Sequence, residues 1–150
     1  MWLVLYVGLG LALALVLAIA LILVTHVEDW SRDLTTNYAA TSGDAADLRL
    51  RPIDAAANPA ELAAVVVRCA AELPRWQLLE RTDESREVRL HFVRTTGLVG
   101  YKDDIRVRIV LAGDASQLSA ESQSRIGKGD LGQNPRNLRE LLGKIRASLP

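Results

Sequence analysis

Residues 102–126, KDDIRVRIVLAGDASQLSAESQSRI, carry the clearest indication of the fold class of this chain. In its first half, apolar residues at positions 105, 107, 109 and 111 alternate with charged ones. After a turn around Gly113, Leu118 and Ala120 begin a second alternation with polar residues. A period of two is typical of a strand with one covered and one wet face. The stretch therefore predicts two neighbouring antiparallel strands.

The preceding residues complete this sheet, and the flanking ones supply its cover. Residues 48–51, 76–81 and 88–92 have the composition and alternation of three further strands. Two helices are predicted to begin at the same signal, an asparagine cap before proline, at Asn58 and Asn134. Each helix carries one apolar stripe. We therefore predict an α+β domain in the order β-α-β-β-β-β-α, with an antiparallel sheet of about five strands covered on one face by two helices.

The N-terminus differs sharply from this domain. Residues 2–24 contain no charged side chain, although the chain carries 18 basic and 18 acidic residues and has a net charge of zero. A helix over this stretch would be about 34 Å long, enough to cross a hydrocarbon core of about 30 Å. No Lys or Arg precedes the stretch and no small-residue cleavage site follows it promptly, which favours an uncleaved anchor over a signal peptide. We expect a transmembrane anchor at 1–25, a linker at 26–47 and the domain at 48–150.

Composition excludes several functional classes. The balanced charge excludes a strongly basic nucleic-acid-binding arm, and the apolar content excludes a wholly disordered chain. The single cysteine, Cys69, excludes an internal disulfide and a cysteine zinc site, and its position on the apolar stripe predicts a buried side chain. His26 and His91 have no recognisable metal-ligand spacing. We expect no metal, no cofactor and no nucleic-acid partner.

Two adjacent aspartates, Asp103 and Asp104, begin the strand at residue 102. Neighbouring strand residues point to opposite faces, so these two cannot form the close carboxylate pair of a glycosidase. A buried carboxylate needs a partner, and the nearby arginines are candidates.

A glycine-rich loop, SRIGKGDLGQNP at residues 124–135, leads into the last helix. Free backbone N–H groups at the helix start, together with Arg125 and Lys128, predict an anion site. In the alternative interpretation the loop has a fixed conformation but binds no ligand, and Asp130 and an aspartate of the earlier pair bind Arg125 or Lys128. The glycines fit the spacing G-x-G-x-x-G, but they follow an antiparallel strand outside any βαβ unit, which excludes dinucleotide binding.

These segments resemble the family called domain of unknown function 1499 (DUF1499). The resemblance rests on LPRW at 73–76, on YKDDIRVR at 101–108 and, above all, on SQSRIGKGDLGQN at 122–134. It adds Asp130 and Asn134 to Arg125 and Lys128 as candidate ligand-binding residues, and it implies no established activity. Many relatives carry an Asn-Cys motif near the domain start, which this chain lacks. Because the family occurs in bacteria and often has an N-terminal membrane segment, we expect a single-pass protein of the bacterial inner membrane with a periplasmic domain.

The leading hypothesis is a membrane-anchored envelope protein with a non-enzymatic accessory domain. It would act through protein contacts, including another membrane or envelope protein, or through a small anionic or lipidic ligand, with the bilayer contacted by residues 2–24. The alternative is a hydrolase or lyase that uses Asp103 or Asp104 as acid/base and Arg125 to polarise the substrate. In a third, purely structural interpretation both motifs only fix loop geometry.

Overall fold

The computed structural model describes residues 2–27, 29–97 and 100–150. Its elements are α1 (Trp2–His26), α2 (Trp30–Thr35), β1 (Tyr38–Ala40), a 3-10 helix (Leu48–Leu50), β2 (Ile53–Ala55), α3 (Pro59–Ala71), β3 (Trp76–Asp83), β4 (Glu87–Thr95), β5 (Lys102–Ala112), β6 (Ala115–Ser124) and α4 (Gln133–Ser148). The predicted α+β class is confirmed, but the sheet has six strands where about five were predicted, because two short strands precede α3.

The strands form one antiparallel sheet of six, in the order β1-β6-β5-β4-β3, and β2 also pairs with β6. β1 lies along residues 121–123 of β6 and β2 along residues 116–118, so the two short strands follow each other along one edge. β1 falls within the segment predicted as a linker, and its three residues are too few to show an alternation.

The strand predicted at 48–51 is wrong, because those residues form the 3-10 helix and the strand begins at Ile53. The cause is local. The Asp47 side chain accepts a hydrogen bond from the Arg49 backbone N–H at 3.0 Å, which stabilises a turn in place of sheet pairing.

Both predicted helices cover the same face of the sheet. α3 begins with the expected cap: Asn58 Oδ1 accepts from the Glu61 backbone N–H at 2.9 Å, and Glu61 Oε2 accepts from the Asn58 backbone N–H at 3.1 Å. Cys69 lies on its buried side, as predicted. The largest fully buried side chains of the core come from both helices and from three strands: Leu62, Val66, Val88, Leu90, Phe92, Ile105, Ile109, Leu118, Leu138, Leu141, Leu142 and Ile145. Burial of each such side chain stabilises the fold by about 1.5–3 kcal/mol, so much of the stability of the domain comes from this face.

The N-terminal helix requires a correction. α1 is a continuous helix, and its described side chains are exposed. Among the residues that the structure describes, no helix is long and apolar enough to cross a membrane. The predicted transmembrane anchor is therefore corrected to an exposed helix, and the single-pass inner-membrane location with a periplasmic domain is contradicted with it.

Candidate functional site

The two aspartates of β5 point to opposite faces of the sheet, as the strand geometry predicts. Asp103 is 1% exposed and lies on the face covered by the helices. Asp104 lies on the uncovered face, called here the open face. The same alternation puts Ser122 and Ser124 of β6 on the covered face, and Arg125, which directly follows the strand, lies on the open one. The conspicuous sequence motifs therefore contribute to two separate sites.

On the open face, Asp104 is held by two side chains. The Arg125 guanidinium donates from Nη2 to Oδ1 at 2.7 Å and from Nε to Oδ2 at 2.8 Å. Arg125, and next to it His91, lower the pKa of Asp104 from 3.8 to about 2. Because the ionised carboxylate can only accept, His91 Nε2 must carry the proton in its 2.7 Å contact with Oδ1. Asp104 is therefore a charged anchor for Arg125 and His91 at neutral pH.

On the covered face, Asp103 belongs to a buried network of neutral side chains. Its Oδ1 accepts from the Ser124 hydroxyl at 2.7 Å, and its Oδ2 accepts from the Asn137 amide at 3.0 Å. Asn137 also donates to the Ser122 hydroxyl at 3.1 Å, and that hydroxyl donates to Asn134 Oδ1 at 2.6 Å. The Asn134 amide closes the network by donating to Ser124 Oγ at 3.0 Å. The partners of this buried carboxylate are thus hydroxyl and amide groups, whereas the sequence suggested arginines.

The start of α4 explains how Asn134 reaches this network. The helix begins at Gln133, two residues earlier than predicted, after Gly132 in the left-handed conformation (φ 75°), so Asn134 lies inside the first turn. Asp130 takes over the capping role. Its Oδ1 accepts from the Gly132 backbone N–H at 2.8 Å and its Oδ2 from the Asn134 backbone N–H at 2.7 Å. The side chain of Asn134, which the sequence assigned to the cap, is free to point into the core.

The glycine-rich loop is also covered by α2. The backbone N–H groups of Asp130 and Leu131 donate to the Asp33 carbonyl oxygen at 3.1 and 2.9 Å. Gly129 approaches the backbone of Asp33 and Leu34 so closely that a Cβ there would overlap the Leu34 carbonyl group. The N–H groups expected to bind an external anion are therefore satisfied by Asp33 and by the Asp130 carboxylate.

The open face carries a groove of about 530 Å³. Its central row runs across five strands in register, from Glu80 through His91, Arg106 and Glu121 to Ala40. Thr82, Arg89, Arg108 and Ser119 form the next row along the same strands. Binding pockets for small ligands typically measure about 300–1,000 Å³, so this groove is large enough for one.

The sequence profile of the family described as "Protein of unknown function (DUF1499)" matches residues 29–145, most of the chain. The chain belongs to the DUF1499 family. No curated protein matches it significantly. The match includes α2, which packs against the glycine-rich loop, and β1, which extends the sheet.

In this DUF1499 domain the four residues predicted to bind a ligand do not converge. Arg125 lies on the open face beside Asp104, whereas Asp130 and Asn134 bond to each other at the start of α4. Lys128 is exposed on the loop between them. The predicted anion site is therefore divided. The alternative pairing of an aspartate with Arg125 is the one seen, and it involves Asp104.

Several residues of both faces were not predicted from the sequence as site residues. Asn137 lies three residues after Asn134 on α4, which is the spacing of neighbours on one helix face and the available signal. Arg106, Arg108 and Glu87 were assigned only to a wet face. Glu87 accepts from Arg108 Nη2 at 2.7 Å, and Arg108, followed by Arg89, lowers the pKa of Glu87 to about 2. The contact between Arg108 and Glu87 joins residues that are 21 positions apart in sequence, which a local pattern does not reveal.

The chemistry available at these sites is ionic and hydrogen-bonding. Among the described side chains, no serine, threonine or cysteine hydrogen-bonds to a histidine: His91 contacts Asp104, and Cys69 contacts Ser148. Within the same described part, no three His, Cys, Asp or Glu residues are grouped to hold a metal ion. The open face thus offers charge recognition.

Proposed function

We propose that this DUF1499 domain is a non-enzymatic binding domain, and that the groove on its open face takes a small anionic ligand whose charged group binds Arg106. The groove supports this proposal by its size and by its six ionisable lining residues, namely Glu80, Arg89, His91, Arg106, Arg108 and Glu121. Side chains of this kind favour a charged ligand over a lipidic one.

Of the arginines that line the groove, Arg106 makes the weakest ion pair. It contacts Glu121 at 3.4 Å, and its side chain remains 51% exposed. Charge-assisted hydrogen bonds are normally about 2.7–2.9 Å long, and the bonds from Arg108 to Glu87 fall close to that range at 2.7 and 3.0 Å. An incoming oxyanion can therefore bind Arg106 in place of Glu121, and only a weak ion pair is lost.

Glu121 has a second partner that permits this exchange. The Tyr38 hydroxyl donates to Glu121 Oε2 at 2.9 Å, so Glu121 keeps a hydrogen bond when Arg106 turns to a ligand. Burial, followed by Glu121, raises the pKa of Tyr38, so its proton stays in place as donor at neutral pH. Arg106 and Glu121 thus form a displaceable pair at the centre of the groove.

The alternative of acid/base catalysis by Asp103 or Asp104 receives less support. Asp104 is bound twice by Arg125 and has a pKa of about 2, so it carries no proton to donate at neutral pH. Asp103 is 1% exposed, and both its oxygens are bonded to Ser124 and Asn137. A substrate would have no direct contact with it.

Titration of the full-length ¹⁵N-labelled chain with inorganic phosphate tests the proposal. Because α1 exposes apolar side chains, the chain is kept in a non-ionic detergent. We expect saturable shifts of the backbone amides of His91, Arg106 and Ser119. Arg106→Gln should weaken binding about tenfold, the effect of losing about 1.4 kcal/mol.

The matched control is Arg68→Gln, which removes the same charge from an exposed position on α3, on the covered side of the sheet. It should leave the phosphate titration unchanged. Equal weakening by both substitutions would show a general charge effect and refute the assignment to the groove.

A further inference from the structure

Trp76 and Arg94 face each other across β3 and β4 on the covered side of the sheet. They are direct partners in the register. The Trp76 ring lies 6.2 Å from that of the buried Phe92, edge to face, and Arg94 follows Phe92 by two residues on the same face. Both residues are half-buried, so they lie where the core meets the surface.

This pair leaves three buried hydrogen-bond donors without an acceptor. Trp76 Nε1 and the Nε and Nη1 atoms of Arg94 are shielded from solvent, and none has a partner in the described part of the chain. A buried donor without a partner costs about 1–3 kcal/mol, more when it is charged. Three such atoms on two facing residues are exceptional, since folded proteins satisfy the large majority of their buried polar groups.

The acceptors nearest in sequence and register are already engaged. Asp103 is the partner of Arg94 on β5, but both its carboxylate oxygens accept from Ser124 and Asn137. The carbonyl oxygen of Thr95, next to Arg94, accepts from Arg75 Nε at 3.2 Å. These acceptors therefore already have other donors.

A further observation at the same corner concerns Arg75, directly before Trp76. It has φ 65°, in the left-handed region that a residue with a side chain rarely adopts. Such strain is often found at binding sites. Arg75 Nε donates to the carbonyl oxygen of Thr95, the residue next to Arg94, at 3.2 Å, and its guanidinium carbon lies 3.2 Å from the Cβ position of Gly97.

We propose that Trp76 and Arg94 form a second binding site, for a small oxyanion such as a carboxylate or a phosphate. Indole N–H and guanidinium groups only donate hydrogen bonds, so their ligand must be an acceptor. Arg94 carries a positive charge, and Arg75 bonds to the residue next to it, so the corner favours an anion. This site lies on the face opposite the groove and is independent of it.

The indole proton of Trp76 provides a direct readout. The chain has three tryptophans and so gives three indole ¹H–¹⁵N signals, of which Trp76→Phe identifies one. The full-length labelled chain in non-ionic detergent is titrated with sodium phosphate or sodium acetate at constant ionic strength. We expect the Trp76 signal to shift saturably with at least one anion, and the stronger response distinguishes phosphate from carboxylate. The signals of Trp2 and Trp30 should not move.

Substitution of Arg94 separates this site from the groove. Arg94→Gln should weaken the anion response at Trp76 about tenfold, whereas Arg106→Gln should leave it intact. If circular dichroism shows that Arg94→Gln does not fold, Arg94→Lys is used, because it keeps the charge but loses the planar set of donors and should also weaken the response. Absence of a saturable shift with both anions, or an unchanged response in the folded Arg94 variant, would overturn the proposal.

Discussion

Asp103 and Asp104 are consecutive in the chain, yet their carboxylates serve opposite faces of the sheet. Asp103 accepts from Ser124 inside the domain, and Asp104 accepts from Arg125 on the open face. Ser124 is the last residue of β6 and Arg125 directly follows it, and Asp103 is the register partner of Ser124. The two pairs therefore bind β5 to β6 from both sides at one point, which is where the sheet, the loop and α4 meet.

The first prediction concerns Asp104→Asn, which should lower the free energy of unfolding by about 1–2 kcal/mol. A hydrogen bond to a charged group contributes about 1.5–3 kcal/mol, and screening by solvent reduces this for the exposed Arg125. The folded pKa of Asp104, about 2, lies below its ordinary value of 3.8. Its stabilisation is therefore complete above about pH 4 and is lost as the pH falls through about 2.

Urea denaturation at a series of pH values measures this contribution. The difference in unfolding free energy between the native sequence and Asp104→Asn should shrink steadily between about pH 4 and pH 2. A difference that is independent of pH would mean that the Asp104–Arg125 pair does not stabilise the domain.

A second prediction concerns the buried network. Asn134→Ala removes the amide that bonds to Ser122 and Ser124, and it leaves both hydroxyl groups buried with fewer partners. We expect a loss of about 2–4 kcal/mol in the free energy of unfolding. Gln123→Ala, on the exposed face of the same strand, is the control and should change stability by less than about 0.5 kcal/mol. Similar losses in both variants would argue against a specific role for the network.

The glycines offer a third, paired prediction. Gly129→Ala should destabilise the domain by about 1–3 kcal/mol, since its methyl group would push the backbone of α2 off the loop. Gly143→Ala, on the exposed side of α4 where no atom lies within 4 Å of the Cβ position, should stabilise it by about 0.5–1 kcal/mol. Thermal denaturation of both variants measures the two signs. A neutral Gly129→Ala would show that α2 does not pack against the loop.

A fourth prediction concerns ion pairing beside the groove. Glu87→Gln removes the carboxylate that holds Arg108 and Arg89, and these arginines then become available to an anionic ligand. Phosphate affinity should rise about two- to fivefold, the scale of a surface ion pair. The amide titration described for Arg106 measures it, and an unchanged or weaker affinity would contradict the expected competition.

Much of the covered face was predictable from local patterns. The Asn58 cap and the stripe from Leu62 to Cys69 identify α3, and the alternation from Ile105 to Ile109 identifies the buried side of β5. These patterns are reliable because a helix or strand must bury its own apolar side against the rest of the domain. The open-face groove was not predictable, because its residues come from five strands and show no local signature.

Local patterns were enough to predict that two helices cover one face of an antiparallel sheet, and that the neighbouring aspartates of β5 point to opposite sides. Both follow from the periodicity of side chains along a helix or strand, which is a local property. The partner of each carboxylate, in contrast, depends on long-range contacts. The register of β5 with β6 brings Ser124 and Arg125 to the aspartates, and the packing of α4 brings Asn137 to Asp103. The loop is contacted by α2. Contacts of this kind depend on the whole fold. In the folded chain the backbone N–H groups of the loop, which the sequence predicted to bind an anion, donate to Asp33 and Asp130 instead. The groove large enough for a ligand lies on the open face.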